Sequence, residues 1–242
     1  MDDLRPFLED ITAAVLVRTV PTDAETAYLL EVAHASGGLV RGVVGWVDLA
    51  APDAPVRIAA LAKNPLIKGL RPTLREIKDS YWILRDEVKP ALRAMAEAGL
   101  CLDAAIEQRH LPVIPMLRMF HPALRIVIDH AAPATITAEG FSTWADSLKR
   151  VADETDVCCR LSGLPIEPGE NWMMNDLRPW AEHILDSFTP ARVMWGSDWP
   201  LLDLTSEYVR WYRIATRFLF RHDLPDRDEV MGGTATRFFG LT

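Results

Sequence analysis

A parallel α/β fold of the TIM-type (β/α)-barrel kind is predicted by this sequence from three observations. Short, nearly unbroken apolar runs alternate with amphipathic helical stretches along the chain, the pattern of a parallel sheet covered on both faces. Asp48, Arg71, His130, Ser162 and Asp198 fall at or just past the carboxyl ends of different runs, and a barrel gathers those ends onto one rim. No glycine-rich phosphate loop follows any run, so a nucleotide-binding open sheet fits less well.

The first strand is read over 14–20, apolar and stopped by Pro21. A helix over 22–36 follows, with Ala27, Leu29, Leu30 and Ala33 at helical spacing and Thr22 or Asp23 as its cap. The second strand is 42–49, followed by a helix near 53–63. The third is 66–72, stopped by Pro72. A helix over 87–98 carries Val88, Leu92 and Met95 on one side and ends at Gly99. A strand at 100–106 precedes a helix near 110–120. The remaining strands are read at 125–130, 157–162 and 192–198, with helices at 141–154, 176–188, 205–220 and 226–238.

That makes seven strands, whereas a barrel of this kind closes with eight, and an open one leaves unpaired edges. Asp2 to Glu9 read as the tail of a helix running into the first visible strand. The expectation is therefore one domain, 1–242, N-terminally incomplete, with the first barrel strand missing. The 242 residues suit such a domain, since barrels run to about 250, and no low-complexity linker divides them.

Net charge is −8, from 26 basic and 34 acidic residues. With no basic stripe, nucleic acid is excluded as an expected partner. The apolar runs fall well short of the roughly 20 residues of a membrane helix, and the acidic Met1-Asp2-Asp3 start is unlike a signal peptide. Three cysteines, two adjacent, make no disulfide framework. They are read as small buried residues in a reducing, cytoplasmic setting.

The run Trp195-Gly196-Ser197-Asp198-Trp199-Pro200, with Val127-Ile128-Asp129-His130 upstream, resembles the amidohydrolase-2 family. Within it, the chain is most similar to the sugar-lactone and 2-pyrone-4,6-dicarboxylate lactonases. Val43 to Leu49, Lys68-Gly69-Leu70-Arg71-Pro72, Arg160-Leu161-Ser162-Gly163-Leu164 and the ending Gly233 to Leu241 match the same family in the same order. The resemblance covers essentially the whole chain. It departs in two places: no His-x-His occurs among the six histidines, and Ala131-Ala132-Pro133 stands where a lysine often precedes the proline.

The resemblance implies hydrolysis of a lactone or related cyclic ester by an activated water. Asp198 is the expected general base or metal ligand, because a carboxylate ending an apolar strand needs a reason to be there; the alternative is a loop cap. His130 is implied as metal ligand or carbonyl-polarising group. Asp129, alternating to the opposite side of the strand, is expected to be a poor partner for it. Arg71 is expected to clamp a substrate carboxylate or hydroxyl. Lys68, Trp199 and His110 complete the candidate substrate contacts, with a solvated charge, core packing and a capping histidine as their plainer readings. Ser162 lacks a Gly-x-Ser-x-Gly context, so no serine nucleophile is expected, and Cys158 and Cys159 do not look like activated thiols.

One zinc or manganese ion is implied for a form carrying the His-x-His strand. With His130 and Asp198 alone, no tightly bound metal and little lactone opening are expected of the chain as written. The expected partner is a small molecule, a sugar lactone or a carboxylated lactone; a homo-oligomer is left open. Two rivals stand. A metal-dependent decarboxylase of the same superfamily would use a histidine in the strand at 100–106, where this sequence has Asp103. A catalytically inactive, truncated barrel would act as a binding protein.

Overall fold

The computed structural model describes residues 11–132, 138–166 and 172–241. Seven strands are present among them: β1 (Ala14–Val17), β2 (Val40–Gly45), β3 (Ile67–Leu70), β4 (Cys101–Ala104), β5 (Ile126–Ile128), β6 (Cys158–Leu161) and β7 (Val193–Trp195). The principal helices are α1 (Asp23–Ala35), α2 (Ala54–Leu61), α3 (Lys89–Glu97), α4 (Val113–Phe120), α5 (Ala138–Glu154), α6 (Met174–Phe188), α7 (Tyr208–Phe218), α8 (Leu224–Asp228) and α9 (Thr234–Phe239). The α/β class, the seven strands and their alternation with helices agree with the sequence reading. The helical tail read at Asp2 to Glu9 lies outside the described residues. No helix among the described residues is long and apolar enough to cross a membrane.

The chain forms two compact units. Unit one comprises 11–105, Val113–Val127 and 239–241; unit two comprises Ile106–Pro112 and Ile128–Phe238.

In unit one, β1, β2, β3 and β4 pair in chain order and in parallel. Beyond β4, Leu102 N–H donates to Arg125 O just before β5. The register sets the height at which each strand ends. Val17 lies opposite Val44 and Leu70 opposite Gly45. The next amides continue the ladder, Arg18 N–H to Val44 O and Arg71 N–H to Gly45 O. The carboxyl ends of β1, β2 and β3 are thus level. Val43, Val44, Leu70 and Leu102 of the strands, and Leu92 and Met95 of α3, are fully buried, so the face of α3 read at helical spacing is the one that covers the sheet. Gly99 follows α3 with φ +69°, the left-handed conformation that ends helices at little cost only in glycine.

Unit two has β6 and β7 in parallel register, Leu161 opposite Trp195. Its core is aromatic: Trp144 of α5, Phe188 of α6, and Trp211 and Phe218 of α7 are essentially inaccessible. Trp144 and Trp180 pack at 4.5 Å between ring centroids.

The strands are shorter than their apolar runs. Strand readings of 14–20, 42–49 and 192–198 become four, six and three residues; past β2 apolar side chains go on being buried in the loop, Val47 and Leu49 being 1% exposed, whereas past β1 Val20 is half exposed. The helix expected near 110–120 starts only at Val113, after a 3-10 turn over Gln108–His110. The one read at 205–220 starts at Tyr208. The last, read at 226–238, is broken into α8, a π-turn over Glu229–Gly233 and α9, where two consecutive glycines weaken helical preference.

Thr22 caps α1, its hydroxyl accepting from Glu25 N–H at 3.1 Å. One turn on, Thr26 is 2% exposed, and its hydroxyl accepts from Trp46 N–H at 3.0 Å. Thr26→Val keeps the shape and leaves that amide without its partner. Urea unfolding is expected to show a loss of about 1–3 kcal/mol; an unchanged midpoint would mean that water serves the amide equally well.

Candidate active site

Unit two brings together the ends of β5, β6 and β7. The chain leaves β5 after Ile128 in a 3-10 turn over Asp129–Ala131. His130, Ala131 and Ala132 all have positive φ, 53°, 55° and 52°. Three consecutive non-glycine residues in the left-handed region cost of order 1–3 kcal/mol each and persist only where the surroundings hold them. Trp144 does part of this holding, its indole N–H donating to Ala131 O at 2.9 Å from α5. Asp198, three residues beyond β7, has φ 59°, and a cis peptide joins Trp199 to Pro200.

Ser162 and Gly163 follow β6 and meet both groups. His130 Nδ1 lies 2.8 Å from Ser162 Oγ and 3.6 Å from Asp198 Oδ1. Gly163 N–H donates to Asp198 Oδ2. A Cβ on Gly163, whose φ is +72°, would stand 2.6 Å from His130 Cγ. Glycine is required there both for backbone conformation and for room.

Contrary to the expectation from strand alternation, Asp129 is a partner of His130: its Oδ2 lies 3.0 Å from Nε2. Alternation holds only inside a strand, and the left-handed turn returns the imidazole toward its own neighbour. Asp129 is fully buried and also ion-paired with Arg160 of β6. That pairing offsets what would otherwise be a costly buried carboxylate. Ser162 is fully buried as well, so its hydroxyl is placed to orient the ring rather than to attack a substrate.

The Asp198 side chain is 10% exposed. Its pKa is pushed upward, first by burial and further by the Asp129 carboxylate, against the lowering pull of His130, the Gly163 amide and Arg160. A carboxylate so raised is a stronger base than a solvated one. Trp199, beside it, is half-buried. His110 is buried, and its Nδ1 accepts from Glu107 N–H at 3.1 Å, the capping arrangement that was its plainer reading. The thiol of Cys159 is fully buried, and burial pushes its pKa up, the opposite of an activated nucleophile.

Arg71 and Lys68 belong to unit one. Arg71 follows β3 directly. Its Nε and Nη2 lie 2.9 and 2.8 Å from Asp103 Oδ1, with Asp103 inaccessible on β4. Arg18, just past β1, is 6% exposed, and its Nε donates to Arg71 O at 2.8 Å. Burial first, then the Arg71 charge, draws the Arg18 pKa down to about 10. Lys68, second in β3, donates from Nζ to Gly240 O at 3.1 Å.

Sequence reasoning does not single out Arg18, Asp129, Arg160 or Gly163 as site residues. The signal is present for three of them: Asp129, Arg160 and Gly163 stand inside the matched motifs, close to the candidate residues. For Arg18 the signal is an arginine closing an otherwise apolar strand.

A carboxylate and an imidazole thus meet at the strand ends of an α/β fold. The amidohydrolase family model matches residues 3–241, and the chain belongs to that family, whose α/β-barrel fold is the one expected from the sequence. It is 37% identical to an L-fucono-1,5-lactonase of Burkholderia ambifaria, over 99% of this chain and 84% of that one. A second L-fucono-1,5-lactonase, from Burkholderia multivorans, is 29% identical over 99% and 85% of the two chains. A crystal structure of a Burkholderia multivorans amidohydrolase with bound zinc superposes with a TM-score of 0.91 at 28% identity, over 100% of this chain and 88% of that one.

The described residues do not by themselves fit such a metal. No three His, Cys, Asp or Glu among them are grouped to hold one. The available donors are committed elsewhere: both His130 nitrogens face protein groups, Asp198 Oδ2 takes the Gly163 amide, and Arg160 puts a fixed cation on Asp129.

Gly163→Ala is expected to lower stability by about 1–3 kcal/mol through overpacking and to shift the His130 ring resonances in NMR spectra. A variant with wild-type stability and an unmoved ring would show that the turn yields more easily than this packing implies.

Proposed function

We propose that the chain opens a lactone, with Asp198 as general base and His130 as the group that polarises the carbonyl. The observation that carries the reading is that the one glycine, Gly163, seats both: its amide binds the carboxylate and its bare Cα admits the imidazole. A water oxygen attacks the lactone carbonyl carbon while its proton passes to Asp198. The His130 imidazole, held by Ser162 at Nδ1 and by Asp129 at Nε2, stabilises the carbonyl oxygen electrostatically as that oxygen becomes negative. The ring C–O bond then breaks, the proton held by Asp198 goes to the departing alkoxide, and a hydroxy acid leaves. No step is routed through a metal. The L-fucono-1,5-lactonase relatives support a sugar lactone as the substrate class, with Trp199 and His110 of unit two the proposed contacts to it.

The decarboxylase reading is disfavoured by Asp103. It stands where that chemistry wants a histidine ligand, and it is inaccessible and bound to Arg71.

Asp198→Asn is expected to cut the rate of aldonolactone opening by about 10²–10⁴-fold, followed by acid release with a pH indicator. Because the base works deprotonated and its pKa is raised, the rate of the wild type should fall with decreasing pH at a value above the ordinary aspartate range near ~3.9. Full activity of the Asn variant, or no opening of any lactone by the wild type, would overturn the proposal. Elemental analysis of the chain purified without chelators is expected to give well under one divalent ion per molecule; stoichiometric zinc would show that the site reorganises to bind it.

A further inference from the structure

Arg160 takes no part in the chemistry proposed above, yet it is buried near the carboxyl end of β6 among the residues that do. A buried guanidinium is costly unless its charge is answered, and Asp129 answers it, Oδ1 binding Nη1. Arg160 and Ser162 stand on the same side of β6, as residues two apart in a strand do. Both press on Gly196, just past β7: a Cβ there would stand 2.9 Å from Arg160 Cδ and 3.0 Å from Ser162 Cβ. Gly196 is itself fixed, its amide donating to Leu161 O at 3.2 Å and its carbonyl accepting from the Trp211 indole at 2.9 Å. The stem of Arg160 therefore lies against backbone that yields little.

These two side chains of β6 take two successive residues of the turn after β5, one each. Arg160 binds Asp129, and Ser162 Oγ lies 2.8 Å from His130 Nδ1. Asp129 Oδ2 in turn lies 3.0 Å from His130 Nε2. Both ring nitrogens thus face groups whose positions β6 dictates, Ser162 directly and Arg160 by way of one carboxylate. The imidazole cannot flip without disturbing both contacts, and it is kept with Nδ1 3.6 Å from Asp198 Oδ1. The direction of the Asp129 carboxylate comes from Arg160, because a planar guanidinium binds a carboxylate in a narrow range of orientations.

We propose that Arg160 is a positioning residue of the site: by fixing Asp129 it fixes the His130 ring at its distance from Asp198. Its effect on rate rests on the lactone-opening reading; its effect on the ring rests on the geometry of unit two alone.

The test compares Arg160→Gln and Arg160→Lys with Arg192→Gln. Arg192, the residue before β7, binds Thr155 O and Ala152 O at 2.7 and 3.0 Å, so its loss loosens the same unit at the opposite ends of the strands. All are assayed well below their thermal midpoints. Arg160→Gln is expected to lower kcat for aldonolactone opening by about 10–100-fold, the scale on which groups supporting a site act. KM should change by less than about threefold, the split that marks an interaction made in the transition state. The same variant should move the His130 signals in long-range proton–nitrogen NMR spectra of the imidazoles, assigned through His130→Gln. Arg160→Lys, which keeps the charge without the fork, should recover part of kcat. Arg192→Gln should lower the midpoint and leave kcat and the His130 signals in place. Wild-type kcat in Arg160→Gln, or unmoved His130 signals, overturns the proposal. So does an equal displacement of those signals in Arg192→Gln, which would make the effect one of stability. Should Arg160→Gln fail to fold, Arg160→Lys is read in its place: a moved ring with lowered kcat supports the proposal, and wild-type values of both overturn it. If the wild type opens no lactone, the hydrolytic reading fails, and the ring signals alone decide whether Arg160 positions His130.

Discussion

The geometry of unit two depends on how closely the peptide after β6 approaches the turn after β5. Gly163 lies so near His130 that a single added carbon would overlap the ring. The same residue's amide is the proton donor that Asp198 accepts. Moving either side chain therefore disturbs the other. This explains why left-handed backbone is tolerated at His130 and again at Asp198: both are held from the same point by hydrogen bonding and contact, and strain of this kind survives only where the surroundings over-determine it.

Each unit handles a buried carboxylate by the same rule. Asp129 in unit two takes its arginine from β6, and Asp103 in unit one takes its arginine from the residue after β3. In both, the partner comes from a neighbouring strand rather than from the same segment. The ion pairs therefore tie strand ends together laterally, at the edge of the sheet where ladder hydrogen bonds give out. Neither pair need add much net stability, since desolvation offsets most of the attraction. Their contribution is to fix which way the polar groups point.

The fold is legible in the sequence because it rests on repetition. Apolar runs of strand length, helices with one apolar face such as α3, and Gly99 at a helix end are local signals, and local signals survive without a structure. Strand ends are overread because Val47 and Leu49 are buried without being paired, and hydrophobicity alone does not separate the two conditions. In the site, His130 and Asp198 are legible as polar residues ending apolar runs. Asp129 is misplaced by carrying strand alternation one residue too far, into a turn whose left-handed φ nothing in Ile128-Asp129-His130-Ala131 announces; glycine or asparagine would have. The pairing of Arg18 with Arg71 is illegible, as it depends on register between strands more than fifty residues apart in the chain.

The indole of Trp144 adds one more consequence. Its N–H reaches from the middle of α5 to the carbonyl of Ala131, the residue next to the imidazole, and its ring lies fully inside the aromatic cluster. The turn that carries His130 is thereby fastened to an optical chromophore. Emission from a tryptophan responds to the hydrogen bond at its ring nitrogen and to the water around it, so an opening of the turn would be written into the intrinsic fluorescence of the protein, and the segment that carries His130 can be watched through α5 without a label.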